Sequence, residues 1–253
     1  MPDETQPDTP AAALRPDKTT VDLDNLASRI LLGTARLDRD LEQRMYEQAT
    51  LDSALYALEH MTLARPVRQR KFGDGGRLDL LDHALSRVAG DGFYAEFGVF
   101  NGASLAFIAD RTDRIVYGFD AFEGLPGIWS ASLGEGAFTR HGEPPEIACA
   151  NYNFRILKGW FNETLPEFME MVPGPAAFLH LDCYLHDATR DVLTAMKARI
   201  VPGTVIVFGQ YINYPGWRRH QFKAFQDFCA ENHLSYRYFA FAAILPTVAV
   251  IMV

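Results

Sequence analysis

Cysteine is scarce. The chain has three in 253 residues, Cys149, Cys183 and Cys229, scattered with no paired spacing. That excludes a disulfide framework and a paired-cysteine zinc site, and it fits a reducing cytoplasm. No apolar run approaches the length of a membrane span, so no membrane partner is expected. The first residues are acidic and lack the basic-then-apolar order of a signal peptide. Basic charge is also short: the net charge of −8 argues against a nucleic-acid backbone as the main partner. The G-x-G-x-x-G turn of dinucleotide sites is missing, and so is the Lys-Ser/Thr ending of a P-loop. What is present is globular in composition, 48% hydrophobic and 22% charged, and long enough for one large domain or a domain with an appendage.

The most informative stretch is Phe93 to Ser104. Phe93, Ala95 and Phe97 read as a buried strand after the turn signal Gly90-Asp91-Gly92. Gly98 and Gly102 permit positive φ and a close backbone approach. Asn101 is placed to cap a helix from Ala103 to Asp110, whose free N–H groups face whatever lies over the turn. Glu96 stands two residues before the first glycine. A carboxylate there repels a pyrophosphate and suits a cationic ligand, an amine or a sulfonium. About twenty residues on, a second strand, Arg114 to Phe119, ends in Asp120, at the spacing of an acid that bonds ribose hydroxyls. Ribose and amine without a diphosphate describe S-adenosylmethionine. The plain alternative is an ordinary α/β protein whose Glu96 caps a local turn.

Residues 1–20 are rich in Pro, Asp, Thr and Ala and read as a disordered tail. From residue 21 to 89 the reading is an N-terminal helical cap. Leu23, Leu26, Ile30, Leu31, Leu37, Leu41 and Met45 repeat at helical spacing, and Leu51, Ala54, Leu55, Leu58 and Met61 continue it. These helices form a lid over the nucleotide site, a subunit contact giving a homodimer, or a plain packed appendage. Arg65 to Gly76 reads as a basic, glycine-rich loop. Leu78 to Val88 reads as a helix closed by Gly90.

Residues 90–253 read as the ligand-binding domain. The long segment Gly127 to Ala150 has little periodicity and holds Trp129, Phe138, Arg140 and His141, a pattern that suits a pocket wall. Phe154 to Leu157 is a third strand, ending near Trp160 and Phe161; Trp160 lies either beside an adenine or in the core. Ala177 to Leu181 is a buried strand ending in Asp182. Thr204 to Phe208, the most β-branched run, reads as a central strand. Two final strands, Ser235 to Phe241 and Thr247 to Val253, form a hairpin.

This α/β alternation with a C-terminal antiparallel hairpin resembles the Rossmann-like sheet of class I S-adenosylmethionine-dependent methyltransferases. Three motifs are similar to the macrocin O-methyltransferase family of natural-product enzymes: Glu-Phe-Gly-Val-x-x-Gly-x-Ser at 96–104, Asp-x-Phe-Glu-Gly-Leu-Pro from Asp120, and Gly-Trp-Phe-x-Glu-Thr-Leu-Pro from Gly159. The resemblance covers roughly residues 70–253. It implies a small-molecule substrate and an S-adenosylmethionine site around Glu96, Gly98, Ser104, Asp120, Trp160 and Asp182. By physical role Glu96 goes to the methionine amine and Asp120 to the ribose.

The chain departs from that family at its metal site. Family members read Asp-Cys-Asp-Leu-Tyr-Ser-Ser-Thr where this chain has Asp182-Cys183-Tyr184-Leu185-His186-Asp187-Ala188-Thr189, and an acidic pair where it has Gly209-Gln210. In the family those acids imply a divalent metal, and a hard cation needs carboxylate oxygens. The expectation is therefore no catalytic metal. One outcome is metal-independent methyl transfer, with His186 as general base and Tyr184 orienting the acceptor. A second is cyclisation of S-adenosylmethionine itself to azetidine-2-carboxylate and methylthioadenosine. There Tyr184 would hold the sulfonium by cation–π attraction, Ile212 would close the pocket, and Gln210 would stand where an acid was removed. A third is a non-catalytic nucleotide-binding partner subunit.

Overall fold

The computed structural model describes residues 39–68, 76–130 and 133–253. The expected tail at 1–20, the repeat from Leu23 to Leu37 and most of the loop before Gly76 lie outside these residues. The described chain runs α1 (Arg39–His60), β1 (Arg65–Val67), α2 (Arg77–Leu85), β2 (Phe93–Phe97), α3 (Ala103–Ala109), β3 (Val116–Asp120) and β4 (Phe154–Lys158). It continues with α4 (Phe161–Met171), β5 (Ala176–Leu181), α5 (His186–Met196), β6 (Val205–Phe208), α6 (Gln221–Glu231), β7 (Tyr236–Ala242) and β8 (Val248–Met252).

The eight strands form one sheet in the order β1-β7-β8-β6-β5-β2-β3-β4. Only β8 runs against its neighbours, pairing antiparallel with β6 and β7. The expected terminal hairpin is therefore present, and it returns β7 to the direction of the parallel strands. The start of the basic loop differs from expectation. Arg65–Val67 is a short edge strand, parallel to β7 and in register with Ala240–Ala242. Together with α2, which packs on β7 and α3, it places Arg65–Val67 and Arg77–Leu85 against the sheet.

Alternation along the strands sorts the core into two layers. Phe97, Leu179, Leu181, Ile206 and Phe208 meet α4, α5 and α6 through Phe168, Leu193 and Phe225. On the opposite face Phe178, Val205 and Val207 meet α2 and α3 through Leu80, Leu81, Leu105 and Ile108. The order reverses between β2 and β5. At such a switch point the loops leaving adjacent strands diverge and open a crevice beyond their C-terminal ends. Gly98 and Asp182 are the first residues past those two ends.

Helix α1 does not cover that crevice. It packs on the segment after β6: Asp52 accepts from Trp217 Nε1 (3.0 Å) and Arg218, and Ser53 Oγ accepts the Asn213 N–H (2.8 Å). Its Tyr56 joins a buried phenol cluster. Tyr238 OH lies 2.9 Å from Tyr56 OH, 2.8 Å from Tyr211 OH and 3.3 Å from Tyr236 OH, with Gln226 Nε2 donating into the group. Burial pushes the Tyr238 phenol well above its ordinary range. Because this hydroxyl links helix, sheet and loop, Tyr238→Phe is expected to cost about 1–3 kcal/mol of stability, read by denaturant unfolding.

Candidate functional site

β2 is buried along its inner face, so its end is fixed, and the chain turns sharply at Gly98 (φ 97°). A Cβ on Gly98 would stand 2.5 Å from the Asp182 carbonyl oxygen, so the two strand ends meet only because residue 98 has no side chain. Gly102 (φ 79°) is the N-cap of α3, and Asn101 Oδ1 accepts the Ala103 N–H at 3.2 Å. Asn101 thus bonds the first N–H of the helix expected to start at Ala103, from one residue before its N-cap.

Asp120, the last residue of β3, ties this turn down. Its Oδ2 accepts the N–H groups of Val99 and Phe100, each at 2.8 Å, and its Oδ1 accepts that of Phe122 at 2.7 Å. A carboxylate oxygen accepts more than one bond, so the outward lone pairs stay available to a ligand hydroxyl.

Glu96 lies beneath the turn, fully buried, with Oε1 2.7 Å from Nδ1 of the equally buried His180. The two residues are register partners on β2 and β5. Glu96 Oε2 is a buried oxygen that no described group bonds. Asp182 bonds Arg77 through Oδ2 and likewise keeps a buried, unbonded Oδ1. Buried polar atoms are nearly always bonded in finished proteins. Two such carboxylate oxygens, one on the lining residue Asp182 and one on Glu96 beneath the lining, suit a cation-bearing ligand.

The crevice is a cavity of about 590 Å³, within the range of small-molecule sites. Of the residues singled out in the sequence, Gly98, Ser104, Asp120, Trp160, Asp182, Tyr184 and Gln210 line it. Glu96 sits below the lining. His186 and Ile212 are not brought to it. His186 opens α5 and turns Nδ1 to Asp187 at 2.9 Å. Ile212 is buried in the core beside Tyr211, Tyr214 and Trp217. The periodicity of α5 explains the first: with Ala188 on the cavity and Thr189 and Val192 buried, position 186 falls toward the rim.

Arg77 was missed in the sequence. It is the first residue of α2 and lines the cavity. The Asp182 carboxylate raises its pKa further, with burial opposing. A cation in the first turn of a helix opposes the helix dipole, and that mismatch is the signal that a tertiary partner holds it.

One wall is aromatic. Ring centroids are 5.5 Å apart for Phe100 and Phe138, 5.1 Å for Phe138 and Tyr184, and 5.1 Å for Tyr184 and Trp129. Phe100 (φ 50°), Phe138 (φ 66°) and Tyr184 (φ 63°) all hold the left-handed conformation, a costly one for bulky side chains that clusters at working sites. Of the residues expected from the segment 127–150, Phe138 lines the cavity, with Leu125 and Pro126 just before the segment; Trp129, Arg140 and His141 are not among the lining residues. Burial, with the Asp182 charge adding, pushes the Tyr184 phenol up to about 12, so it is protonated at neutral pH. Cys183 is raised to about 12 by burial as well.

Behind this wall His220 packs on Trp129 and Tyr214. Burial, with the His186 and Arg219 charges adding, lowers its pKa to about 4. An unfolded histidine titrates near 6.5. The folded state therefore holds the neutral ring, and stability is intact above about pH 6.5 and falls as pH drops toward 4. The loss should reach ~2 kcal/mol near pH 5. His220→Phe should flatten that part of the melting-temperature profile between pH 7 and pH 5.

Residues 95–211 match the model of a methyltransferase domain. This stretch, a little under half of the chain, is similar to a methyltransferase domain. It holds the turn, Asp120, the aromatic wall and Asp182. The chain is 28% identical over 163 residues to mycinamicin III 3''-O-methyltransferase of Micromonospora griseorubida, covering 53% of this chain and 62% of that protein. It is 26% identical over 164 residues to demethyldecarbamoylnovobiocin O-methyltransferase of Streptomyces niveus, covering 55% and 61%. The matches thus span about three fifths of the length of those relatives. The O-methyltransferase NovP superposes with a TM-score of 0.53 at 21% identity, over 69% of this chain and 78% of that one. The calicheamicin methyltransferase CalS11 gives 0.54 at 18% identity, over 87% and 96%. The sheet with its terminal hairpin is that of a Rossmann-like methyltransferase fold.

Proposed function

We propose that the protein is an S-adenosylmethionine-dependent transferase acting on a small molecule in natural-product biosynthesis, and that methyl transfer is its reaction. The observation that carries this is the Asp120 carboxylate, which ties the glycine turn at the switch point and presents an acid to the crevice floored by Glu96. S-adenosylmethionine, when bound, supplies a methyl group on a positively charged sulfur. Asp120 would hold the ribose hydroxyls, and the free Oε2 of Glu96 and Oδ1 of Asp182 would attract the amino group. Ser104 and Trp160 would border the same ligand. The aromatic wall would exclude water and position the acceptor, which is a large part of the acceleration in a displacement reaction.

Metal independence belongs to the same proposal. Arg77 already engages the Asp182 carboxylate, Tyr184 and Gln210 are neutral, and no group of three or more His, Cys, Asp or Glu suited to a metal occurs among the described residues.

One observation favours the cyclisation of S-adenosylmethionine as a second reading. Among the described residues lining the cavity, no histidine is present to take an acceptor proton. Asp120 accepts three backbone N–H groups, Asp182 is paired with the Arg77 guanidinium through one oxygen, and Tyr184 and Cys183 hold their protons. Cyclisation needs no second substrate: the amine of the methionine arm gives its ammonium proton to water before the ligand is enclosed, the neutral nitrogen then forms a bond to the γ-carbon as the carbon–sulfur bond breaks, the electron pair leaves on sulfur, and the ring nitrogen keeps its two protons.

Incubation with S-adenosylmethionine alone in EDTA, followed by mass spectrometry, separates the two. Methylthioadenosine with azetidine-2-carboxylate would replace methyl transfer by cyclisation. Without them, S-adenosylhomocysteine formed over a panel of acceptors supports methyl transfer. Binding of S-adenosylmethionine with no turnover on any acceptor would leave a non-catalytic partner.

A further inference from the structure

His180 has no part in the site as described so far. It is fully buried on β5, its Nδ1 meets Glu96 Oε1 at 2.7 Å, and its Nε2 has no described partner. A buried carboxylate held at one oxygen only is fixed in rotation by that single bond. Where its other oxygen stands then depends on where the bonding ring nitrogen sits, and Nδ1 and Nε2 sit at different places. We infer that His180 is a positioning residue for the amino group of the bound ligand, acting through Glu96. By occupying Oε1 from the neighbouring strand it leaves Oε2 as the acceptor for the ligand's cation. Its separation of 84 residues from Glu96 in sequence hides this role, and the register of β2 against β5 creates it. The inference rests on the S-adenosylmethionine reading above and adds to it a residue that touches neither substrate nor solvent.

The test compares two ligands and two conservative variants. S-adenosylhomocysteine carries the amino-acid arm, and methylthioadenosine shares its thioadenosine part without that arm. Asn places its amide nitrogen where Nδ1 sits, and Gln places it where Nε2 sits. Calorimetry should show His180→Gln binding S-adenosylhomocysteine at least tenfold more weakly than the native protein, with methylthioadenosine changed less than twofold. His180→Asn should stay within threefold of native for both. Glu96→Gln should repeat the selective loss, which keeps the test open if His180→Gln does not fold. Equal weakening of both ligands, or Asn and Gln variants that behave alike, would mean that His180 serves the fold only and overturns the inference while leaving the ligand reading intact. A native protein that binds neither ligand would remove both.

Discussion

Asp120→Ala is expected to lower affinity for S-adenosylhomocysteine more than a hundredfold and to destabilise the protein as well. The carboxylate accepts three backbone N–H groups, those of Val99, Phe100 and Phe122. Removing it leaves them without their acceptor. An orphaned, poorly solvated N–H costs about 1–3 kcal/mol. Phe100 is partly exposed, so water replaces some of the loss there, and a net cost of about 2–4 kcal/mol is the expected range. The affinity loss has two sources that add. The ribose loses its acceptor, and the turn between Gly98 and Gly102 loses the tie that holds Phe100 in its left-handed conformation. Asp120→Asn separates them. Its amide oxygen still accepts from one side of the turn, so stability should recover more than affinity does. Calorimetry and denaturant unfolding on the two variants read this directly. An alanine variant that binds S-adenosylhomocysteine like the native protein would remove Asp120 from the ligand site.

The same residue shows what could be read from the chain beforehand. Asp120 was legible because a strand, an acid at its end and the distance from Glu96 are all local patterns. So were β2, β5, β6 and the terminal hairpin, whose apolar or β-branched runs are short and bounded by turn residues. Two kinds of information were not local. The first is register. Glu96 and His180 are 84 residues apart, and Arg77 and Asp182 are 105 apart; only the pairing of β2 with β5 and the packing of α2 bring them together. The second is helix phase. His186 was singled out as a base because histidine is the residue type suited to proton transfer near neutrality, yet the turn at left-handed Tyr184 and the start of α5 carry it off the cavity. Arg65–Val67 escaped notice as a strand because three residues give no periodicity, and an edge strand is set by its neighbour β7 rather than by its own sequence. Tyr184 was singled out as a substitution for an acid. Its left-handed backbone, which aims the ring along the wall with Phe138, has no sequence signature in a residue other than glycine.

Gly209→Asp, the change that would return an acid to the end of β6, is expected to damage the site and to create no magnesium dependence. A Cβ at residue 209 would stand 2.0 Å from Asp182 Oδ1, inside any real contact distance, so the Asp182 carboxylate has to move. That carboxylate is largely buried and bonded to Arg77, whose side chain is itself less than one third exposed. Breaking a buried ion pair by displacing one partner costs about 3–5 kcal/mol, and somewhat less at this partial exposure. Even Gly209→Ala should therefore lower the melting temperature by several degrees and weaken S-adenosylhomocysteine binding at least tenfold. The aspartate variant adds a second carboxylate to the same space, yet Arg77 remains as a competing cation and Tyr184 remains neutral. Magnesium takes oxygen ligands in near-octahedral geometry and releases its waters reluctantly, so it has little reason to displace a guanidinium already in place. A magnesium titration of Gly209→Asp by calorimetry should stay flat. The response should appear only when Arg77→Ala and Tyr184→Asp are added, since those changes free Asp182 and supply a third carboxylate. Micromolar magnesium binding by the single variant would show that Arg77 does not hold the position a metal would take. Native-like stability of Gly209→Ala would show that Asp182 moves freely. Arg77, Asp182 and Gly209 form one steric and electrostatic unit: the cation needs the carboxylate turned toward it, and the carboxylate can turn only over a residue without a side chain.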